Sequence, residues 1–273
     1  TTGEVFYPRV LEQICLANVN FMNLDCMNIM SIAPALYTNL VYFPNEVVPI
    51  MDQVITRFKE EKFPGLVDST PPILIRPFHL SSTKNMRDLN PHDIDCLVAI
   101  KGMVIRCGTI IPELKSAYFQ CVVCNADQEV PVVMGEIAEP LSCLHCASKR
   151  TMQLIHNRGV YSDKQLIRIQ ETPDEIPEGE TPHTVSIFAY DDLVDAVKPG
   201  DRVEITGIFR AQPLRSNARQ RAVKNVFRTH VDVMHFRKLD NRKWYEYSGS
   251  AEDEQARQAA EVTYNLAVAN SDD

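Results

Sequence analysis

No run of about 18 or more apolar residues occurs in this chain, so no membrane-spanning helix is expected. Thr1–Leu11 lacks the charged, apolar and small-residue succession of a secretory signal. An initiator Met is also missing, as in a fragment or a processed chain. The phosphate-binding patterns G-x-x-x-x-G-K-[ST] and G-x-G-x-x-G are absent, and so are the nucleophile elbow and H-E-x-x-H. No catalytic site is therefore expected within the chain, and no internal repeat is visible. What remains is an ordinary globular composition: 273 residues, 45% hydrophobic and 23% charged, enough for one large domain or two or three small ones.

Eight cysteines divide into two kinds. Cys15, Cys26, Cys96 and Cys107 are isolated in apolar or strand-like stretches and read as small buried hydrophobes. Cys121-Val-Val-Cys124 and Cys143-Leu-His-Cys146 are tight pairs separated by eighteen residues, inside the spacing expected of zinc ligands. Two intervening residues let a turn aim both sulfurs at one ion, and two such knuckles complete a tetrahedron. Four thiolates leave no open position for water, so this Zn2+ would be structural. His145 lies inside the second knuckle and reads as a solvated loop residue, while Gln128–Val133 and Gly135–Pro140 would form the ribbon's short strands. A redox pair would need a βαβ context, which is missing; spacing alone leaves an iron–sulfur centre open. Paired cysteines without a secretory signal point to a reducing, intracellular compartment.

The net charge of −8 is unevenly distributed. Residues 1–72 hold four basic and eight acidic residues, and residues 244–273 hold one basic and seven acidic. Between Arg210 and Arg228 there are six basic residues and no acid. This local excess matters more than the total, because screening confines surface fields to roughly 8–10 Å. Flanked by strands, Arg210, Arg215, Arg219, Arg221 and Lys224 read as a basic hairpin. It would suit phosphates with little sequence preference, or else be a solvated loop or a contact with another subunit's acids. Arg168 faces away from Ile167 and Ile169 on its strand. Arg106 also ends a strand, but Gly102 leaves its facing open. The acids Glu171, Asp174, Glu175, Glu178 and Glu180 stand among Pro173, Pro177 and Pro182, so they read as a polar loop and not as paired catalytic carboxylates.

Helical spacing of Val10, Leu11, Ile14 and Cys15, and of Val47, Met51, Val54, Ile55 and Phe58, makes residues 1–72 a small helical bundle. Beyond Pro72 the texture becomes short β runs, with Arg202–Thr206 alternating as a half-buried strand. Five to seven short strands with one long excursion suggest a small barrel of the oligonucleotide/oligosaccharide-binding (OB) type; an Ig-like sandwich fits the strand count but not the inserted segment. The expected fold is thus α+β and multidomain, a helical bundle followed by an OB-fold β-barrel carrying an inserted four-cysteine zinc ribbon. Its spans are 1–72 for the bundle, 73–116 with 150–236 for the barrel, and 117–149 for the ribbon. Residues 237–273 form an acidic tail or linker.

Several stretches together resemble the N-terminal region of the minichromosome maintenance (MCM) replicative helicase family, closest to its eukaryotic subunit-four paralogues. They include Arg87-Asp-Leu-Asn-Pro-His-Asp-Ile-Asp95, Leu154-Ile-His-Asn-Arg158, Ser162-Asp-Lys-Gln165, Gln170-Glu-Thr-Pro173, Pro177-Glu-Gly-Glu-Thr-Pro-His183, Leu193-Val-Asp195, Pro199-Gly-Asp-Arg-Val203 and Thr206-Gly-Ile-Phe-Arg-Ala-Gln-Pro-Leu-Arg215. The resemblance implies a helical A-domain, an OB domain and an inserted zinc ribbon. It implies a ring collar around single- and double-stranded DNA, with ribbons packing two hetero-hexameric rings of MCM paralogues head to head. The basic hairpin would point into the channel, and Arg106 with Arg168 would match the family's single-strand-binding pair. Residues 171–183 would be the loop that relays between collar and motor. A nuclear role in DNA replication follows, with replisome factors such as the GINS complex as partners and no membrane. ATP and Mg2+ would belong to an AAA+ module of the full-length protein, and that module is not present here.

Overall fold

Three of the four helix starts have a visible local cause. In the computed structural model, which describes residues 6–17, 19–62, 72–132, 137–215 and 223–239, four helices precede most of the strands. They are α1 (Phe6–Leu16), α2 (Cys26–Ile32), α3 (Pro34–Tyr42) and α4 (Pro44–Lys62). The Asp25 carboxylate accepts from the Met27 amide at 2.9 Å and caps α2. Proline opens both α3 and α4, where its missing N–H costs nothing.

The expectation of an all-helical first segment is corrected by β1 (Phe21–Asp25), which pairs in parallel with β2 (Leu74–Phe78). Met22 and Leu24 alternate inward as a strand requires, but the partner lies some fifty residues along the chain, beyond the expected boundary at Pro72. Side chains of α4 hold the outer edge of β2: the Ile75 amide donates to Asp52 at 2.7 Å, and the Ile73 amide to Thr56 at 3.3 Å. The Arg76 guanidinium lies over the Phe21 ring at 3.9 Å and pairs with Asp192 at 3.0 Å, tying this small sheet to the large one.

The remaining strands are β3 (Leu97–Cys121), β4 (Asp127–Pro131), β5 (Met152–Leu154), β6 (Val160–Gln170), β7 (Thr184–Tyr190), β8 (Arg202–Arg215) and β9 (Val223–Lys238). They form one OB-like sheet in the order β4-β3-β6-β7-β9-β8, with β5 on β3 and a further pairing of β8 back onto β3. The path β3-β6-β7-β9-β8-β3 therefore returns to its starting strand. Three register shifts along the β3–β6 ladder bend the 25-residue β3 sharply enough to allow this. Ile100, Val104, Ile167, Ile169, Ile187, Val203, Ile205 and Val231 fill the space inside.

A second cluster lies on the sheet's other side. There Leu97, Ala99 and Ile208 meet Cys26 of α2 and Leu40 of α3. Strand β8 consequently differs from its half-buried expectation: Val203–Phe209 is buried on both faces, including Glu204 and Thr206. At its centre, an added Cβ on Gly207 would meet the Asp232 carbonyl oxygen at 2.3 Å and Val231 Cγ1 at 2.7 Å. Backbone cannot yield as a flexible side chain can. Gly207→Ala should therefore lower unfolding free energy by about 1–3 kcal/mol or more in urea titration.

Candidate metal centre and candidate nucleic-acid interface

Two matching turns build the thiol cluster. Strand β3 delivers Cys121, flanked on one edge by β4 and on the other by β5. The Asn125 amide closes the first knuckle onto the Cys121 carbonyl at 2.9 Å, and the Ala147 amide closes the second onto Cys143 at 3.0 Å. Asn125 and Ala147 both have positive φ, 55° and 56°, so each knuckle leaves through the same left-handed turn. Residues 137–140 carry no strand, and β5 supplies the flank expected from Gly135–Pro140; Gly135 itself lies outside the described residues.

All four sulfurs lie within 4.8 Å of one another. Cys121 Sγ is 3.6 Å from Cys146 Sγ, and Cys124 Sγ is 3.5 Å from Cys143 Sγ. A regular tetrahedron with metal–sulfur bonds of roughly 2.3 Å has edges of about 3.8 Å. A disulfide needs about 2.05 Å, so these pairs are metal-like and not oxidised. The Thr151 hydroxyl, 3.3 Å away, is the main cause that pushes the Cys121 thiol down to about 6. Hydrogen bonds from Ser148 lower that of Cys146. Cys124 moves up to about 12: the Ala126 amide lowers it, but desolvation and the sulfurs of Cys143, Cys121 and Cys146 outweigh that. Four sulfurs this close cannot all ionise unless a cation sits among them, and a thiophilic dication would remove the conflict. The His145 amide donates to Cys143 Sγ at 3.4 Å, while its side chain is exposed and outside the set.

The arginines picked from the sequence separate into three situations. Arg106 and Arg168 are direct cross-strand partners on the β3–β6 ladder, because the extra residue Ile105 shifts the register between Val104 and Arg106. Both are exposed, and neither has an ion pair or a hydrogen bond among the described residues. Directly opposed residues lie about 5 Å apart, so two like charges there are unfavourable without an anion. Arg210 stands at the base of the β8–β9 hairpin, in contact with Asp232 and Asn45. Arg215 and Lys224 lie on the hairpin strands, with Arg215 opposite Val223, and their side chains are outside the described residues. Arg219 and Arg221 lie wholly outside the described residues.

One group escaped the sequence reading. Glu171, whose side chain is 1% exposed, receives Arg87 Nε at 3.0 and 3.1 Å and the His183 amide at 3.0 Å. Arg87 also bonds Glu180 and the Thr181 carbonyl, so one guanidinium closes the neck of the 171–183 loop. The Arg87–Asp95 stretch carries part of the resemblance, but no local pattern links Arg87 to an acid 84 positions away. For the thiol cluster, cobalt(II) titration of the reduced chain should show one tightly bound equivalent with thiolate-to-metal charge-transfer bands. Cys143→Ser should abolish those bands while far-ultraviolet dichroism of the large sheet persists.

Comparison with known proteins adds an independent line. The MCM N-terminal domain family matches residues 1–94, and the MCM OB domain family matches residues 85–213. Similar proteins include the DNA replication licensing factor mcm4-A of Xenopus laevis, 46% identical over 241 residues, which are 88% of this chain and 28% of that protein. The mcm4 factor of Schizosaccharomyces pombe is 44% identical over 255 residues, covering 88% of this chain and 28% of its own length. That of Arabidopsis thaliana is 41% identical over 243 residues, with 85% and 27% covered. The chain thus spans little more than a quarter of these relatives. With both domain families matched in sequence order, the chain belongs to the MCM family, in its N-terminal region.

Proposed function

We propose that this chain is the DNA-binding, ring-forming collar of an MCM replicative helicase subunit, acting in replication licensing, origin unwinding and fork progression in the nucleus. The observation that carries the reading is the opposed pair Arg106 and Arg168, neither of which has an acidic partner among the described residues. Folding places two like charges together at a cost, and a phosphate backbone offsets it. The returning strand path would be the OB barrel. The basic hairpin, with Arg215, Arg219, Arg221 and Lys224 above Arg210, would extend the same cationic surface toward single- or double-stranded DNA.

The thiol cluster would hold one structural Zn2+ through Cys121, Cys124, Cys143 and Cys146. Val122, Val123, Leu141 and Leu144 are 65–85% exposed around the knuckles, which supports a ring-to-ring contact there. Partners would be other MCM paralogues in a hetero-hexamer and a double hexamer, together with replisome factors such as GINS. ATP hydrolysis with Mg2+ would reside in the AAA+ module of the full-length protein.

Fluorescence anisotropy with a single-stranded oligonucleotide tests the charge argument. Relative to wild type, the double variant Arg106→Ala/Arg168→Ala should bind more weakly at low salt, and its slope of log K against log[salt] should be shallower by about 0.7 for each lost phosphate contact. Its unfolding free energy should stay equal or rise by roughly 0.2–1 kcal/mol, because like-charge repulsion is relieved. Unchanged affinity in this variant, and in one lacking the hairpin cations, would remove the DNA role and leave a protein-interaction scaffold.

A further inference from the structure

We propose that Asp232 is a positioning residue for the basic hairpin: it fixes the direction in which the β8–β9 ribbon leaves the sheet, using Arg210 as its arm. This rests on the DNA-binding reading of the hairpin and specifies how that surface is aimed.

The location is the argument's first part. Up to Ile208, β8 is held by β3 on one edge and β9 on the other. Strand β9 in turn touches β7 through Val231 and Asp232, opposite Ile187 and Phe188. Beyond this level Arg210–Arg215 and Val223–His230 pair with each other alone among the described residues. A two-stranded ribbon without a third strand or a covering face is marginal in water. Its direction is therefore set by the last side chains that join it to the body, and Asp232 stands at that exit.

The second part is what meets there. Asp232 Oδ2 lies 2.5 Å from Arg210 Nε of β8, an ion contact and not an aligned hydrogen bond. Its Oδ1 accepts from the Tyr190 hydroxyl at the end of β7 at 3.2 Å and lies 3.5 Å from His230 Nε2 of β9. Arg210 Nη2 then donates to Asn45 Oδ1 in the first turn of α4 at 3.0 Å. One carboxylate thus gathers three strands of the sheet and, through the guanidinium, a helix of the N-terminal domain. His230 packs edge-on to Phe188 at 4.9 Å, which closes the remaining side. With the Asp232 side chain 19% exposed, its charge is shielded from bulk water and spent on this junction. Arg210, the one hairpin cation with an acidic partner among the described residues, therefore has a structural assignment at the base of the ribbon.

Opposite signs separate this reading from simple electrostatics. If Asp232 acts only as a negative charge near DNA, Asp232→Asn strengthens binding. If it positions the hairpin, the same change weakens binding although a negative charge has been removed. In the full chain, Asp232→Asn should weaken binding of a single-stranded oligonucleotide by about threefold or more and flatten its salt slope, as lost phosphate contacts do. Asn45→Ala alters no charge and should move both quantities in the same direction. Hydrogen exchange should quicken in the β8–β9 ribbon above Phe209 and Val231, while the β3–β6 ladder keeps its protection. Equal or tighter binding by Asp232→Asn would overturn the proposal. So would Asn45→Ala with unchanged affinity and unchanged ribbon exchange, which covers the case in which Asp232→Asn fails to fold. If wild-type binding proved indifferent to Arg215, Arg219, Arg221 and Lys224, the DNA reading would fail instead. The exchange pattern would then still decide whether Asp232 aims the ribbon.

Discussion

Strand β3 is the element on which everything else depends, because its first part pairs with β8, its middle pairs with β6, and it is buried on both faces where it begins. Leu97–Ile100 has Ile100 turned into the sheet's interior, while Leu97 and Ala99 turn toward the helices. Pairing with β8 over Leu97–Met103 and with β6 over Met103–Ser116 returns the strand path to itself, with Met103 shared by both ladders. The same strand then continues for 25 residues through three register shifts and ends at Cys121, the first metal-ligand candidate. Interior packing, the cationic pair and the thiol cluster are therefore one continuous piece of chain, and disturbance of its bulges would displace all three.

Local chemistry made some of this legible in the sequence. The cysteine spacing brings the four thiols together because each two-residue knuckle is a local turn, closed by an amide four positions on. Arg168 was placed outward correctly, since Ile167 and Ile169 define the opposite face of a regular strand. The facing of Arg106 stays open in the sequence, because it depends on the extra residue Ile105, and a bulge has no simple sequence pattern. Strand β1 was hidden for a different reason. A five-residue run with two buried apolar residues has no preference strong enough to reveal a parallel partner at Leu74–Phe78. The double burial of β8 was hidden because Glu204 and Thr206 look solvent-facing until helices and β9 cover them.

Charge placement follows a consistent division. Where acids are close, cations are consumed in the structure: Arg76 with Asp192, Arg87 with Glu171, Arg202 with Asp174 and Arg210 with Asp232. Each of these pairs joins segments distant in sequence, and the buried Glu171 pair would be costly to break from one side only. Arg106 and Arg168 stand apart from this pattern among the described residues. In a protein with a net charge of −8, these two arginines are directly opposed and no acid pairs with either among the described residues.

The acidic total and the cationic face are compatible for the same reason. Fields from the acidic N-terminal segment fade within a Debye length of roughly 8–10 Å, whereas the opposed arginines act on whatever touches them. Net charge is therefore felt only close to the acidic segments, and the local pair sets what is favoured at contact. Under the proposed collar reading, a ring of subunits would present several such faces around one strand. Multiplying a weak site around a closed ring would raise effective concentration without any new contact, so under that reading a two-arginine patch need bind only weakly in a single chain.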